Sequence, residues 1–127
     1  MSFTPEETAY LRQRLLGRIA TVSASGEPDV AVVRYRLDDG VFEVASRDVP
    51  ATLKYRNVLA NSRAAFVVDD LPSTDPWTPR GIKVHGRAEI GSNAFGPTIR
   101  IVPQRIWSWG INRHAEKYRG NTERRTA

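Results

Sequence analysis

The feature that most restricts this chain is the segment 30–46, where β-branched residues crowd positions 30–33 and a tight reversal follows at Asp38-Asp39-Gly40. Val and Ile lose χ1 freedom in a helix and pack well on a pleated surface, so 30–37 reads as a strand. Asp and Gly tolerate the positive φ angles of short hairpin loops, which brings 41–46 back as an antiparallel partner. Upstream, 19–23 reads as a further strand reached through a Ser25-Gly26 turn. Three consecutive strands in a meander commit the chain to a mainly β fold.

The flanking elements follow from local signals. Thr4, Pro5 and Glu7 make a capping box with proline at the first helical position, predicting a helix that runs to about Leu16 and stops at Gly17, with Leu11 and Leu15 as its docking stripe. Pro50 opens a second short helix lasting to about Asn61, before a strongly apolar strand, 64–68, that ends at Asp69-Asp70. The stretch 71–80 holds three prolines and Trp77, too much proline for a ladder; it reads as an ordered loop across the barrel end, anchored by Trp77. Alternation resumes over 81–90 and 98–109, with a bulge or edge at Pro103. The sum is a six-stranded antiparallel Greek-key barrel with two short helices over 1–112, and a basic tail, 113–127, whose last dozen residues read as frayed. Two helices cannot cover both faces of a parallel doubly wound sheet.

A chain of 127 residues fits one domain. It contains no cysteine, which removes disulfides, thiolate metal sites and thiol nucleophiles and favours a cytoplasmic setting. Neither a secretory leader nor a membrane span is expected. The net charge of +5 owes much to Arg113, Lys117, Arg119, Arg124 and Arg125 near the end. That placement argues against a nucleic-acid face, while the mildly basic remainder suits a small anionic ligand as well as a polyanion, so charge alone does not decide.

Candidate chemistry is sparse. The two histidines, His85 and His114, offer no metal-binding pair and no Ser-His-Asp order, and His85 reads as a barrel-wall residue. Glycine-rich phosphate loops are absent. What stands out is the strand-to-helix junction, where Arg47, Thr52, Lys54, Arg56 and Asn57 surround a predicted helix N-terminus. Its unpaired N–H groups and partial positive charge, with Thr52 and Lys54 or Arg56, would cradle a phosphate. The same spacing equally describes an amphipathic helix with solvated cations. Two further clusters, 75–81 and 105–110, pair arginine with indole; Trp107 and Trp109 share one strand face, which is core, dimer contact or cofactor wall.

These residues together carry a resemblance. The run from Arg18 to Gly110 resembles the flavin- and deazaflavin-dependent oxidoreductases of the split β-barrel superfamily, relatives of pyridoxamine 5′-phosphate oxidase. Thr52 to Val58, Asn61 to Ala65, Val68 to Leu71, Asp75-Pro76-Trp77, Pro79-Arg80-Gly81 and Trp107-Ser108-Trp109-Gly110 look like its small coenzyme F420-dependent branch. The resemblance implies an FMN-binding-type split barrel working as a homodimer, a deazaflavin or FMN ring in a groove between subunits, and hydride transfer to an unsaturated or quinone-like small molecule. Lys54 and Thr52 match the family's phosphate-holding positions, with Arg56 and Asn57 beside them and Arg47 flanking. Val32 and Arg34 would approach the ring, while Lys83, Arg105 and Trp109 would come from the partner subunit. Leu53 departs from the pattern, standing where many relatives carry a second cation. An FMN oxidase or reductase, or a non-catalytic cofactor-binding dimer, shares the same fold. No side chain is assigned a catalytic role, because the cofactor carries the hydride chemistry.

Overall fold

The computed structural model describes residues 3–112 and 122–127. Its elements run α1 (Pro5–Gln13), β1 (Leu16–Val22), β2 (Pro28–Asp38), β3 (Val41–Val44), a 3-10 turn (Val49–Ala51), α2 (Leu53–Ala60), β4 (Arg63–Asp70), β5 (Arg80–Asn93), β6 (Gly96–Trp109) and β7 (Glu123–Thr126). Strands pair antiparallel in the order β3-β2-β1-β4-β5-β6-β7, and β3 also pairs with β6, which closes the first six into a barrel. The six-stranded architecture read from the sequence is therefore present, with β7 added outside the closure.

The barrel interior follows from strand alternation. Ile19, Phe66, Val84 and Ile106 stand opposite one another on β1, β4, β5 and β6, and all are buried. Phe42 packs on Phe66 with ring centroids 4.6 Å apart, and Tyr35 meets Phe66 edge-on at 5.4 Å. Each such side chain contributes roughly 1.5–3 kcal/mol through burial, so this inner face is the main stabilising element. Between β5 and β6 the register slips at His85/Gly86, placing Arg105 opposite His85 and Pro103 opposite Gly86. Gln104 is the extra residue, and the bulge expected at Pro103 is where the proline needs no ladder donor.

Four local expectations are corrected. Helix α1 ends at Gln13, and Gly17 lies inside β1, where a Cβ would collide with Cζ of the Phe66 ring and stand 2.5 Å from its Cε2. Glycine is there for close packing, not for a left-handed cap; Arg14 caps the helix in extended geometry. Leu15 is 70% exposed, and the docking face is Glu7, Tyr10 and Leu11 instead. Trp77 is also 70% exposed and anchors nothing inside. The neck of the 71–79 loop is held by Arg80, whose guanidinium grips Asp70 through Nε at 2.9 Å and Nη2 at 2.8 Å while the Tyr10 hydroxyl donates to the same carboxylate at 2.7 Å.

The fourth correction concerns the tail. Residues 123–126, read as frayed, form β7 on the edge of β6, with Arg124 opposite Trp107 and Arg125 opposite Ile106. Arg125 turns to the core side and pairs with Glu7, which is fully buried and also accepts from Asn112 Nδ2 at 3.0 Å. Residues 113–121, including His114, lie outside the described part.

Candidate functional site

Two groups of the candidate residues emerge on different parts of the surface. The first is the N-terminal end of α2. Pro50 belongs to the 3-10 turn rather than to the helix, and Thr52 is the N-cap. Its hydroxyl donates to the Val49 carbonyl at 2.7 Å and accepts from the Tyr55 N–H at 3.3 Å, so Thr52 shapes the helix start. The Thr52 and Arg56 N–H groups are also satisfied internally. This leaves the N–H groups of Leu53 and Lys54 without an acceptor among the described residues, at the positive end of the helix dipole. Lys54 and Arg56 lie in the first turns of α2 and Arg47 in the loop before the 3-10 turn, with no carboxylate in ion-pair range among the described residues, and Arg47 and Arg56 are exposed. Asn57 faces the other way. It is buried and its Nδ2 donates to Thr21 Oγ1 at 3.0 Å, tying α2 to β1.

The second group lies on the outer face of the barrel. Directly opposed residues in antiparallel strands share a face. One row therefore runs Val32, Arg18, Val67, Lys83, Trp107, Arg124 across β2, β1, β4, β5, β6 and β7. A parallel row runs Val30, Ala20, Ala65, His85, Arg105, Thr126. Arg34 and Trp109 continue the same face, opposite Leu16 and Gly81. An open groove of about 960 Å³ crosses it, lined by Ala20, Val22, Ala65, His85, Arg105 and Thr126 among others. Val30, Val32 and Leu16 stand exposed at its β1–β2 side, Val32 by 64%.

The structure thus brings Val32, Arg34, Lys83, Arg105 and Trp109 to one face, and places Thr52, Lys54 and Arg56 at the start of α2 with Arg47 in the loop before it. Within one chain Val32 and Lys83 are three strand spacings apart, roughly 14 Å. Sequence reasoning missed the centre of the outer face. Lys83 Nζ lies 4.4 Å and the Arg124 guanidinium carbon 5.5 Å from the Trp107 ring centroid, and the His85 ring is 4.5 Å from it. Partial burial, with Lys83, Arg105 and Arg124 nearby, pushes the His85 imidazole below its usual range. The signal available in the sequence was the two-residue spacing of Trp107 and Trp109. No group of three or more metal-ligating side chains occurs among the described residues, and no helix there is long and apolar enough to cross a membrane.

Against known proteins, the sequence profile of the pyridoxamine 5′-phosphate oxidase family matches residues 3–119. The chain is 43% identical over 121 residues, 87% of its own length and 85% of the relative's, to a 5a,11a-dehydrotetracycline/5a,11a-dehydrooxytetracycline reductase of Streptomyces rimosus. Among solved structures, a conserved hypothetical protein of Mycobacterium tuberculosis superposes with a TM-score of 0.72 at 20% identity, covering 87% of this chain and 86% of that one. An F420 reductase superposes with a TM-score of 0.64 at 22% identity, covering 82% of this chain and 98% of that one. At these identities the structural likeness speaks for the fold, and the profile and the reductase speak for descent. The chain belongs to the pyridoxamine 5′-phosphate oxidase family of split-barrel oxidoreductases.

Proposed function

We infer that this oxidoreductase is a coenzyme F420-dependent reductase that acts as a homodimer on a polycyclic, unsaturated, tetracycline-like acceptor. The observation that carries the reading is the likeness, along nearly the whole chain, to the dehydrotetracycline reductase. The donor set at α2 fits the cofactor's phosphate: two open N–H groups, at Leu53 and Lys54, and the Lys54 ammonium. Thr52 keeps that end of the helix in place, and Arg47 and Arg56 extend the positive field toward a longer anionic tail. Leu53 contributes its backbone donor where a second cation is missing.

The outer face supports the dimer. In a two-fold pair, residue i of one copy meets j of the other and j meets i. The exposed Val30, Val32 and Leu16 side of one barrel would then cover the Lys83, Arg105 and Trp109 side of its partner, completing a groove that a single chain leaves open. When bound, the cofactor supplies the hydride; the chain's own residues position it and keep water from the ring. The direct assay mixes the protein with reduced F420 and a 5a,11a-dehydrotetracycline and follows cofactor reoxidation. Turnover with F420 is the expected result. Turnover with reduced FMN alone, or none with either, overturns the reading.

A further inference from the structure

We propose that the Trp107 corner of the outer face, built by Lys83, Arg124 and His85, is a recognition site for a planar organic anion, and that it holds the acceptor rather than the cofactor. The proposal rests on the reading of the outer face as the reaction face; the corner adjoins the groove through His85, which lines it together with Arg105.

Several barrel arginines have carboxylate partners: Arg18 pairs with Asp69, Arg87 with Glu89 at 3.4 Å and Arg100 with Glu43 at 3.1 Å, while the exposed Arg34 and Arg63 have none among the described residues. Around Trp107 three cations without such partners stand together. Lys83 and Arg124 flank the indole, and Arg105 stands beside His85, with no carboxylate in ion-pair range of any of the three cations among the described residues. A cation–π contact fixes a cation without cancelling its charge. Among the described residues the corner is therefore pre-organised and electrostatically unfilled, and the His85 imidazole beside Trp107 can take part in a hydrogen bond there. A flat ring bearing an enolate, phenolate or carboxylate oxygen satisfies both features at once.

The placement of Arg124 gives β7 a purpose. Neighbouring residues on a strand point to opposite faces. Arg125 faces inward and is held by the buried Glu7, so its neighbour Arg124 is presented outward over Trp107. Arg125 is thus a positioning residue for the site.

The test uses the full chain without cofactor and two probes of the same shape, 2-naphthoate and uncharged 2-naphthamide, titrated by calorimetry. Wild type should bind the carboxylate about tenfold more tightly than the amide, the scale of one charge-assisted hydrogen bond. Lys83→Met and Arg124→Met should each bring the ratio close to one with amide affinity unchanged, Arg124→Met should leave F420 affinity unchanged, and Arg36→Met, on a distant paired arginine, should leave the ratio intact. Equal binding of both probes by wild type, or a preference that survives both substitutions, overturns the proposal. Loss of F420 binding in Arg124→Met would also overturn it, by assigning the corner to the cofactor. Carboxylate preference in a protein that fails to bind F420 would uphold this site and defeat only the cofactor reading.

Discussion

The indole of Trp109 covers Gly81: a Cβ at position 81 would stand 2.5 Å from Trp109 Cζ2 and 2.8 Å from the Val68 carbonyl oxygen. Gly110, at φ +71°, approaches the Pro79 carbonyl and Arg80 Cβ in the same way. Residues 79–81 and 108–110, separate in sequence, are thus one packed unit at the end of β5 and β6. Gly81→Ala should destabilise the protein by about 1–3 kcal/mol through overpacking, read as a lowered urea midpoint with an unchanged m-value. An unchanged midpoint would mean that the Trp109 contact is loose.

The buried Glu7–Arg125 pair predicts both a mutational and a pH effect. Arg125→Met leaves Glu7 with its Asn112 and Thr4 bonds but no counter-charge, a loss of about 3–5 kcal/mol. Burial alone would raise the Glu7 pKa, but the bonds from Arg125, the Thr4 N–H and Asn112 outweigh it and hold the group below its ordinary value. Asp70 is held down to about 2, chiefly by the Arg80 hydrogen bonds. Both carboxylates have folded pKa values below their unfolded ones, so their contribution is complete above the ordinary carboxylate range near pH 4 and is lost as pH falls through the folded values. Urea unfolding measured from pH 5 down to pH 2 should show stability falling with acid, and Asp70→Asn should flatten that slope. A slope identical to wild type would contradict it.

Asn57 lies on the helix whose N-terminal end is proposed to hold the anion, yet its side chain is buried and turned onto Thr21. Asn57→Ala removes the donor to Thr21 Oγ1 inside the protein and should cost about 1–3 kcal/mol. F420 affinity, measured below the melting transition, should stay within about twofold of wild type on that scale. A larger loss of affinity with unchanged stability would return Asn57 to the binding site.

The dimer reading predicts that Val32→Glu, at an exposed strand position, leaves monomer stability within about 0.5 kcal/mol but places a charge in the interface. Light scattering behind a sizing column should report a dimer for wild type and a monomer for the variant. A monomeric wild type would remove the shared groove.

Much of the fold was legible because the barrel's inward residues are apolar and alternate, as at Ile19, Phe66, Val84 and Ile106. The strand β7 was not, because its inward residue is Arg125, pinned by Glu7 from the other end of the chain; no hydrophobic period marks it. Gly17 was misread because a close approach to Phe66 and a helix stop call for the same residue. At the site, residue types at the α2 end were readable. The inward turn of Asn57 depends on its bond to Thr21, 36 positions away, and the Lys83–Trp107–Arg124 row depends on strand register, which no local pattern encodes.

The proposed grip of the α2 N-terminus on a deazaflavin's phosphate is decided by fluorescence titration of F420 into wild type and Lys54→Ala, with FMN as competitor. Wild type should bind saturably, FMN should displace F420 less well than F420 itself does, and Lys54→Ala should lose at least about tenfold in affinity with an unchanged melting temperature. Equal affinity in the two proteins would remove the phosphate from the α2 end.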